Sequence, residues 1–259
     1  MSIKNVSIVG ASGNIGSLVI PELVKSSFTL TAVTRTTSTA TFPASIKVAK
    51  SDFSLASLTE IFRGRGAVVS MLPITALGEQ AIVIEAAIAA SVKRFIPSEY
   101  GSDSTGLAQG FTGFNLATKT ATLIDGGKTR FTSTNVAQIG RALVAILNQA
   151  EETANKLVFV ESFTTTQLEI LAALEKAVGE KFQVVNLTSE DVRTEAARQL
   201  AEGNLLEGGG KLITALVLGK EGLEDHSDAE GGIWNARLGL PKENLEDEVA
   251  RVVQTAAAN

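Results

Sequence analysis

The first chemical feature of the chain is a glycine-rich turn that is suited to holding phosphate groups. Gly10, Gly13 and Gly16 follow an apolar run typical of a strand and open an amphipathic segment typical of a helix. In that setting the first glycine permits a tight turn, the second lets the backbone approach a pyrophosphate, and the third allows the helix to pack closely. A glycine-rich turn can also be a plain connector, but the strand–turn–helix order favours dinucleotide binding. The other cofactor contacts predicted in this turn are Ser12, Asn14 and Ile15.

The end of the second predicted strand indicates which dinucleotide is bound. An NAD site usually carries an aspartate or glutamate there, which binds the ribose hydroxyls. This strand ends with Thr34, Arg35 and Thr36 and has no carboxylate. The planar guanidinium of Arg35 matches a 2′-phosphate, and the threonine hydroxyls can add donors. An ordinary solvated arginine is the alternative, but the strand-end position favours the phosphate contact, so the predicted cofactor is NADPH/NADP.

Three further strand ends should face the same crevice, because ligands of open parallel sheets lie beyond the carboxyl ends of the strands. The cofactor contacts predicted there are Asp52 and Phe53 after the third strand, Met71, Leu72 and Pro73 after the fourth, and Pro97, Ser98 and Glu99 after the fifth. An adenine ring could lie beside the first of these pairs. For Phe53 and Met71, ordinary packing in the core is an equal alternative.

The catalytic candidate is Tyr100, the single tyrosine of the chain, which follows the fifth predicted strand. Its phenol could donate a hydrogen bond to a carbonyl or imine that is being reduced. The alternative is that its ring packs beneath the nicotinamide and takes no part in the chemistry.

The composition excludes several kinds of site. The 259 residues include no cysteine, which rules out disulfides, thiolate zinc sites, iron–sulfur clusters and a cysteine nucleophile. The single histidine, His226, cannot form a multi-histidine metal site, and its hydrophilic surroundings are typical of a solvated loop. We therefore predict no metal. The net charge of −5 at pH 7 has the wrong sign for a protein that mainly binds nucleic acid.

The apolar segments of the sequence are not suited to crossing a membrane. The longest of them, residues 81–92, contains Glu85 and is too short to span a bilayer. Residues 1–10 carry one lysine and a short apolar run without a cleavage pattern of small residues, which argues against a signal peptide. We expect a cytoplasmic protein without a membrane partner.

The elements that must position these residues alternate between strands and helices in the first part of the chain. The predicted strands are Ile3–Val9, Thr29–Thr34, Ile46–Ala49, Ala67–Met71 and Arg94–Pro97. The predicted helices are Ile15–Lys25, one opened by a capping box at Ser57–Glu60, and Ala76–Ser91. Such alternation requires βαβ crossovers and a parallel sheet covered on both faces. The predicted fold class is α/β, with a doubly wound, mostly parallel Rossmann sheet.

Beyond Tyr100 the alternation gives way to a smaller α+β region. An Asp-Gly turn at Asp125–Gly127, between two β-rich runs, predicts a hairpin. The other predicted elements are helix Val136–Asn148, strand Lys156–Glu161, helix Gln167–Val178, strand Phe182–Leu187, a flexible break at Gly208–Gly210 and a closing helix Lys242–Thr255. The predicted domains are a dinucleotide-binding core at residues 1–105, rejoined by about 155–180, and a smaller substrate-side region at 106–259.

Taken together, these motifs resemble the NmrA-like and isoflavone reductase-like proteins, which are atypical short-chain dehydrogenases/reductases. The resemblance rests on the glycine turn, Arg35, Gln80 and the segment Lys93–Gly101. Residues 118–135, 162–166 and 238–241 look like the fungal branch of that family. The resemblance implies an NADPH-bound Rossmann domain and a smaller substrate domain. It also adds Gln80 to the predicted cofactor contacts.

The chain departs from this family directly after Tyr100. Enzymes of the family use a lysine in a helix that follows the Pro-Ser-Glu segment, but here residues 101–110 contain no lysine and run almost at once into the predicted hairpin. Several dozen expected residues are absent. Either the protein has lost them, or the 259 residues omit a stretch of a longer chain. We favour the second explanation, because a Rossmann sheet that loses a helix and a strand would expose apolar surface on both neighbours.

Two functions remain in view at this point. Enzymes of the family reduce phenylpropanoid-type ethers, isoflavones, imines or enones, which implies an NADPH-dependent reductase acting on a small aromatic or conjugated substrate. Other members are not catalytic; they sense NADP(H) and bind regulatory proteins. The first function is the main prediction, and the second, with a protein partner meeting the acidic surface, is the alternative.

Overall fold

The alternation of strands and helices forms a five-stranded parallel sheet in the computed structural model, which describes residues 2–100 and 112–257. The strands are β1 (Asn5–Val9), β2 (Thr29–Arg35), β3 (Lys47–Ser51), β4 (Ala67–Ser70) and β5 (Arg94–Ile96). They lie in the order β3-β2-β1-β4-β5, and every pairing is parallel. The order reverses between β1 and β4, so the carboxyl ends of these two strands flank the crevice in which such sheets bind ligands. The predicted fold class is confirmed.

Helices cover both faces of this sheet, as its buried strands require. They are α1 (Asn14–Val24), α2 (Leu55–Phe62), a 3₁₀ helix at Ile74–Glu79, α3 (Gln80–Ala89) and α4 (Val136–Asn148). On one face, α1 and α4 contribute Val19, Leu23 and Leu143 to a buried core. On the other face, α2 and α3 contribute Leu58 and Val83 to a second one.

The start of α2 differs from the prediction. The helix begins at Leu55, and its N-cap is Ser54, whose hydroxyl accepts the backbone N–H of Ser57 at 3.2 Å. Ser57 therefore lies inside the first turn and does not open a capping box. The long helix predicted at 76–91 is also divided, because a 3₁₀ helix precedes α3 and places Glu79 at the junction.

The described residues fall into two compact units of similar length. The first consists of residues 2–100, 136–158 and 237–240, and the second of residues 112–135, 159–236 and 241–257. The segment that returns to the first unit is thus 136–158, earlier than the 155–180 expected from the sequence. No helix within the described ranges is long and apolar enough to cross a membrane.

The second unit combines two small sheets with helices. Its strands are β6 (Phe114–Asn115), β7 (Thr120–Ile124), β8 (Arg130–Ser133), β9 (Phe163–Thr166) and β10 (Gln183–Leu187). Its helices are α5 (Gln167–Val178), α6 (Ser189–Ala201), α7 (Leu205–Leu218), the short α8 (Asn235–Leu238), which ends in residues of the first unit, and α9 (Leu245–Ala257). One sheet has the order β10-β7-β6, and the other pairs β8 with β9.

The predicted hairpin around Asp125 is wrong, because β7 and β8 belong to different sheets. A 3₁₀ helix at Asp125–Gly127 joins them, with Asp125 itself at φ 46°. The Asp125 carboxylate accepts the backbone N–H groups of Ser189 and Lys220, each at 3.0 Å. These contacts anchor the turn to the start of α6 and to the chain beyond α7, so β8 is led away from β7.

Two other predictions for this unit are corrected. Residues 156–161 form no named strand; the strand is β9, whose last residue, Thr166, caps α5 in a capping box with Glu169. Residues 208–210 are not a break but lie within α7. A Cβ at Gly208 would lie 2.7 Å from the side chain of Leu200, so this glycine allows α7 to pack closely on α6.

The buried Gln167 connects three backbone segments of the second unit. Its Oε1 accepts the N–H of Ile124 at 2.8 Å, and its Nε2 donates to the carbonyls of Thr112 and Thr122 at 2.8 and 2.9 Å. We expect Gln167→Leu to lower the free energy of unfolding by about 2–4 kcal/mol, because it removes three hydrogen bonds and leaves buried polar groups without this partner. Urea unfolding measures the change.

The matched control for this substitution is Gln183→Leu on β10, where the side chain is exposed. It should change the free energy of unfolding by less than about 0.5 kcal/mol. Equal losses in the two variants would contradict the role given to Gln167.

Candidate cofactor site

The glycine turn leaves no room for side chains at its two ends. Gly10 lies at φ 81°, and a Cβ there would come closer than 3.0 Å to the carbonyl oxygen of Met71. A Cβ at Gly16 would come equally close to the carbonyl oxygen of Gly10. The turn is closed by a hydrogen bond from the Gly13 N–H to the same oxygen, at 2.9 Å. It therefore holds the amino end of α1 directly against the chain that leaves β4.

The amino end of α1 carries no acidic residue of its own. Its N-cap is Gly13, which makes no side-chain capping bond, and its first turn contains no acidic residue. Ser12 and Asn14 are exposed and Ile15 is half-buried. Backbone N–H groups and the positive end of the helix dipole are thus available to a phosphate. The chain fits the phosphate-binding part of a dinucleotide site.

At the end of β2, the guanidinium of Arg35 is held between an aromatic ring and a carboxylate. Its central carbon lies 4.6 Å from the centroid of the Phe53 ring, and its Nη2 donates to both carboxylate oxygens of Glu79 at 2.5 and 2.6 Å. Thr36 is exposed beside it, whereas Thr34 is buried and does not lie at the surface. Glu79 is not among the predicted contacts, since nothing in the β2 segment indicates a carboxylate supplied by another element.

The turn after β3 is held by hydrogen bonds of its own residues. Phe53 lies at φ 62°, and its N–H donates to the hydroxyl of Ser51 at 2.9 Å. The carboxylate of Asp52 accepts the N–H of Ser54 at 2.9 Å, and this hydrogen bond holds the pKa of Asp52 below its usual range. Asp52 therefore stays ionised at neutral pH and is engaged in the turn.

Hydrogen bonds connect several of the predicted contacts around β4 and β5. The N–H of Ser98 donates to Oε1 of Gln80 at 2.7 Å, and the hydroxyl of Ser98 donates to the carbonyl of Leu72 at 2.8 Å. The side chain of Met71 is buried in the first core and that of Leu72 in the second, so Met71 packs in the core as its alternative interpretation predicts. Their backbone still forms the edge of the crevice. Pro73 and Glu99 are exposed, and Pro97 is half-buried.

Tyr100 is packed against the core and makes one polar contact. Its hydroxyl donates to the carbonyl oxygen of Ser70, at the end of β4, at 3.0 Å. Burial raises the pKa of Tyr100 above its ordinary value. The phenol is therefore a neutral donor, and its proton is held by the end of β4.

Comparisons with known proteins agree with this geometry. A family model described as NAD(P)H-binding matches residues 10–111. Oxidoreductase poxI of Penicillium oxalicum is 29% identical over 296 residues, which cover 94% of this chain and 92% of that protein. Isoflavone reductase shares the fold at 17% identity with a TM-score of 0.75, and leucoanthocyanidin reductase of Vitis vinifera, solved with NADPH, at 17% with 0.79. Both structural matches cover 96% of this chain and 99% of the other.

The predicted resemblance to isoflavone reductase-like proteins is supported by the NAD(P)H-binding model, by the fungal relative and by the shared fold. The predicted cofactor class, NADPH/NADP, is confirmed.

The match to poxI also bears on the length of this chain. It runs over 296 positions although it covers only 94% of the 259 residues of this chain, so poxI has residues without a counterpart here. Residues 101–111, where the lysine segment of the family was expected, lie outside the described part of the chain.

The single histidine, His226, lies in the second unit and contacts neighbouring side chains. His226 stacks on Phe159 with ring centroids 4.5 Å apart, and its Nε2 lies 3.2 Å from the carboxylate of Glu224. Among residues 2–100 and 112–257 no cluster of histidine, aspartate and glutamate is arranged to hold a metal. A pocket in this unit is lined mainly by apolar side chains, among them Phe131, Phe163 and Val249.

Gly10 provides a direct test of the phosphate turn. We expect Gly10→Ala to weaken NADPH binding at least 10-fold, because the methyl group would push the turn away from Met71 and misplace the amino end of α1. Isothermal titration calorimetry measures the affinity.

Gly64→Ala is the matched control, because Gly64 also has a positive φ, 71°, but a Cβ there meets nothing within 4 Å. It should lower stability by about 1 kcal/mol and leave NADPH affinity unchanged. If Gly10→Ala binds NADPH as well as Gly64→Ala does, the turn is only a connector.

Proposed function

We propose that this protein is an NADPH-dependent reductase that transfers a hydride to a small aromatic or conjugated substrate, such as an enone, an imine or a phenylpropanoid. The observation that carries the proposal is Arg35, exposed at the end of β2 and stacked on Phe53 in an NAD(P)H-binding unit. A guanidinium in this place is suited to the 2′-phosphate that distinguishes NADPH from NADH. The names of two structural neighbours, isoflavone reductase and leucoanthocyanidin reductase, support an aromatic substrate.

In this proposal each part of the chain has a separate task. When bound, NADPH supplies the hydride from its nicotinamide ring. The N–H groups at the start of α1 bind the pyrophosphate, and Arg35 with Thr36 binds the 2′-phosphate. The hydrogen bonds of Ser98 to Gln80 and Leu72 keep the crevice rigid, so that the reacting groups are positioned. Tyr100 is protonated at neutral pH. Its hydroxyl gives up the hydrogen bond to the Ser70 carbonyl and donates one to the substrate oxygen or nitrogen instead.

Arg35→Ala tests the choice of cofactor. We expect it to weaken NADPH binding by roughly 1.5–3 kcal/mol, about 10- to 150-fold, and to leave NADH binding almost unchanged, because only NADPH carries the 2′-phosphate. Binding is measured by titration calorimetry with both cofactors.

Arg63→Ala is the control, since Arg63 is also exposed in the first unit and pairs with Glu60 at 3.1 Å. It removes the same charge beside Gly64, whose carbonyl accepts a hydrogen bond from Asn5 at the start of β1, and should change neither affinity. Equal losses of NADPH and NADH affinity in Arg35→Ala would contradict the assignment.

The second candidate is a non-catalytic sensor of NADP(H) that binds a partner protein. Residues 101–110 contain no lysine, whereas enzymes of the family carry one there, and this difference favours the sensor if the protein itself has lost that segment. Oxidation of NADPH, followed by absorbance in the presence of a panel of aromatic enones and imines, separates the two functions. A reductase consumes NADPH with at least one substrate class, whereas a sensor binds NADPH tightly without turnover and recovers a partner in a pulldown.

Tyr100→Phe tests the proton or hydrogen-bond donor within the same assay. We expect kcat to fall about 10- to 100-fold while NADPH affinity changes less than threefold, because the substitution removes only the hydroxyl. A melting curve shows whether losing the hydrogen bond to the Ser70 carbonyl also lowers the stability of the variant. A kcat within threefold of that of the unsubstituted protein would leave Tyr100 as a packing residue.

A further inference from the structure

The guanidinium that would receive a 2′-phosphate already holds an anion. Both carboxylate oxygens of Glu79 accept hydrogen bonds from Nη2 of Arg35, at 2.5 and 2.6 Å. Glu79 ends the 3₁₀ helix that follows β4, and it is separated from Arg35 by 44 positions of sequence. The pairing is therefore a tertiary contact between the end of β2 and the 3₁₀ helix after β4, two strands that β1 separates in the sheet, and not a local helix pair.

We propose that Glu79 determines cofactor specificity by competing with the 2′-phosphate for Arg35. In the free protein the carboxylate occupies the guanidinium, and a 2′-phosphorylated nucleotide must displace it. The inference rests on the proposed function, because it requires that Arg35 bind a 2′-phosphate. Its consequence is that the chain discriminates less strongly between NADPH and NADH than Arg35 alone would allow.

The competition follows from charge and from exposure. A phosphate monoester carries between one and two negative charges at pH 7, so it is repelled by a carboxylate at the same guanidinium. The Arg35 and Glu79 side chains are 52% and 37% exposed, so the pair can open without burying an unpaired charge. Phe53 stacks on the guanidinium and does not occupy its N–H donors, so the ring can keep Arg35 in place while its anionic partner changes.

The same geometry allows a second role for Glu79, in which it binds the nucleotide. The experiment must distinguish that role from competition with the 2′-phosphate. A carboxylate near the end of β2 is the group that binds ribose hydroxyls in NAD sites. If Glu79 acts in that way, its removal weakens the binding of nucleotides that lack the 2′-phosphate. If it competes, its removal strengthens the binding of nucleotides that carry the 2′-phosphate and leaves the others unchanged.

The test uses adenosine 2′,5′-bisphosphate and ADP as probes, with titration calorimetry on the full chain. We expect Glu79→Gln to bind the 2′,5′-bisphosphate about 3- to 10-fold more tightly than the unsubstituted protein does, with ADP affinity changed less than twofold. Glutamine keeps the size of the side chain and removes its charge. In the Arg35→Ala background the same substitution should have much less effect, because the guanidinium for which the two anions compete is gone.

Glu85→Gln is the control for net charge, since Glu85 is exposed on α3 and the change in charge is the same. It should leave both affinities within twofold, and melting curves check that every variant is folded. A Glu79→Gln variant that binds the 2′,5′-bisphosphate no more tightly than Glu85→Gln does overturns the inference, and so does a selective loss of ADP affinity. If Arg35→Ala has no effect on the 2′,5′-bisphosphate in either background, the proposed 2′-phosphate site itself is wrong, and the inference falls with it.

Discussion

The close approach of the Gly10 turn to the end of β4 is the constraint on which the site depends. Only a residue without a Cβ can bring the chain this near to the carbonyl of Met71, and only Gly16 lets α1 start directly above it. The contact sets where the amino end of α1 lies relative to the reversal of strand order between β1 and β4. The open helix end and the crevice therefore coincide, without any specialised side chain in the turn.

The charge distribution around the crevice is local and differs from that of the whole chain. The protein carries a net charge of −5, yet the amino end of α1 has no acidic residue in its first turn, and Arg35 extends from the end of the adjacent strand. Asp52 is bound to the backbone of its own turn, and Glu79 is bound to Arg35. The charges of Arg35 and Glu79 cancel within their pair, so the amino end of α1 supplies the positive potential, and displacement of Glu79 would add that of the guanidinium.

The parts of the molecule that the sequence predicts are those fixed by local contacts. The glycine turn, β2 and α4 need only neighbouring residues and periodicity, and they were located within a residue or two. The hairpin failed because the partners of Asp125 lie 64 and 95 positions away. Glu79 was not predicted for the same reason, since its partner, Arg35, lies in β2, 44 positions away in the sequence. Whether a candidate side chain is free or already paired is thus decided by tertiary contacts that no motif encodes.

The end of β5 shows how the site stays ordered beside a sheet edge. Within the described residues β5 pairs only with β4, and it has three residues. Arg94 secures it from the side, since its guanidinium donates to the carbonyls of Ala150 and Thr153 beyond α4. On the following segment, Ser98 is fixed by Gln80 and Leu72. The segment that carries Tyr100 is therefore held by the side-chain contacts of Arg94, at the start of β5, and of Ser98, just beyond its end.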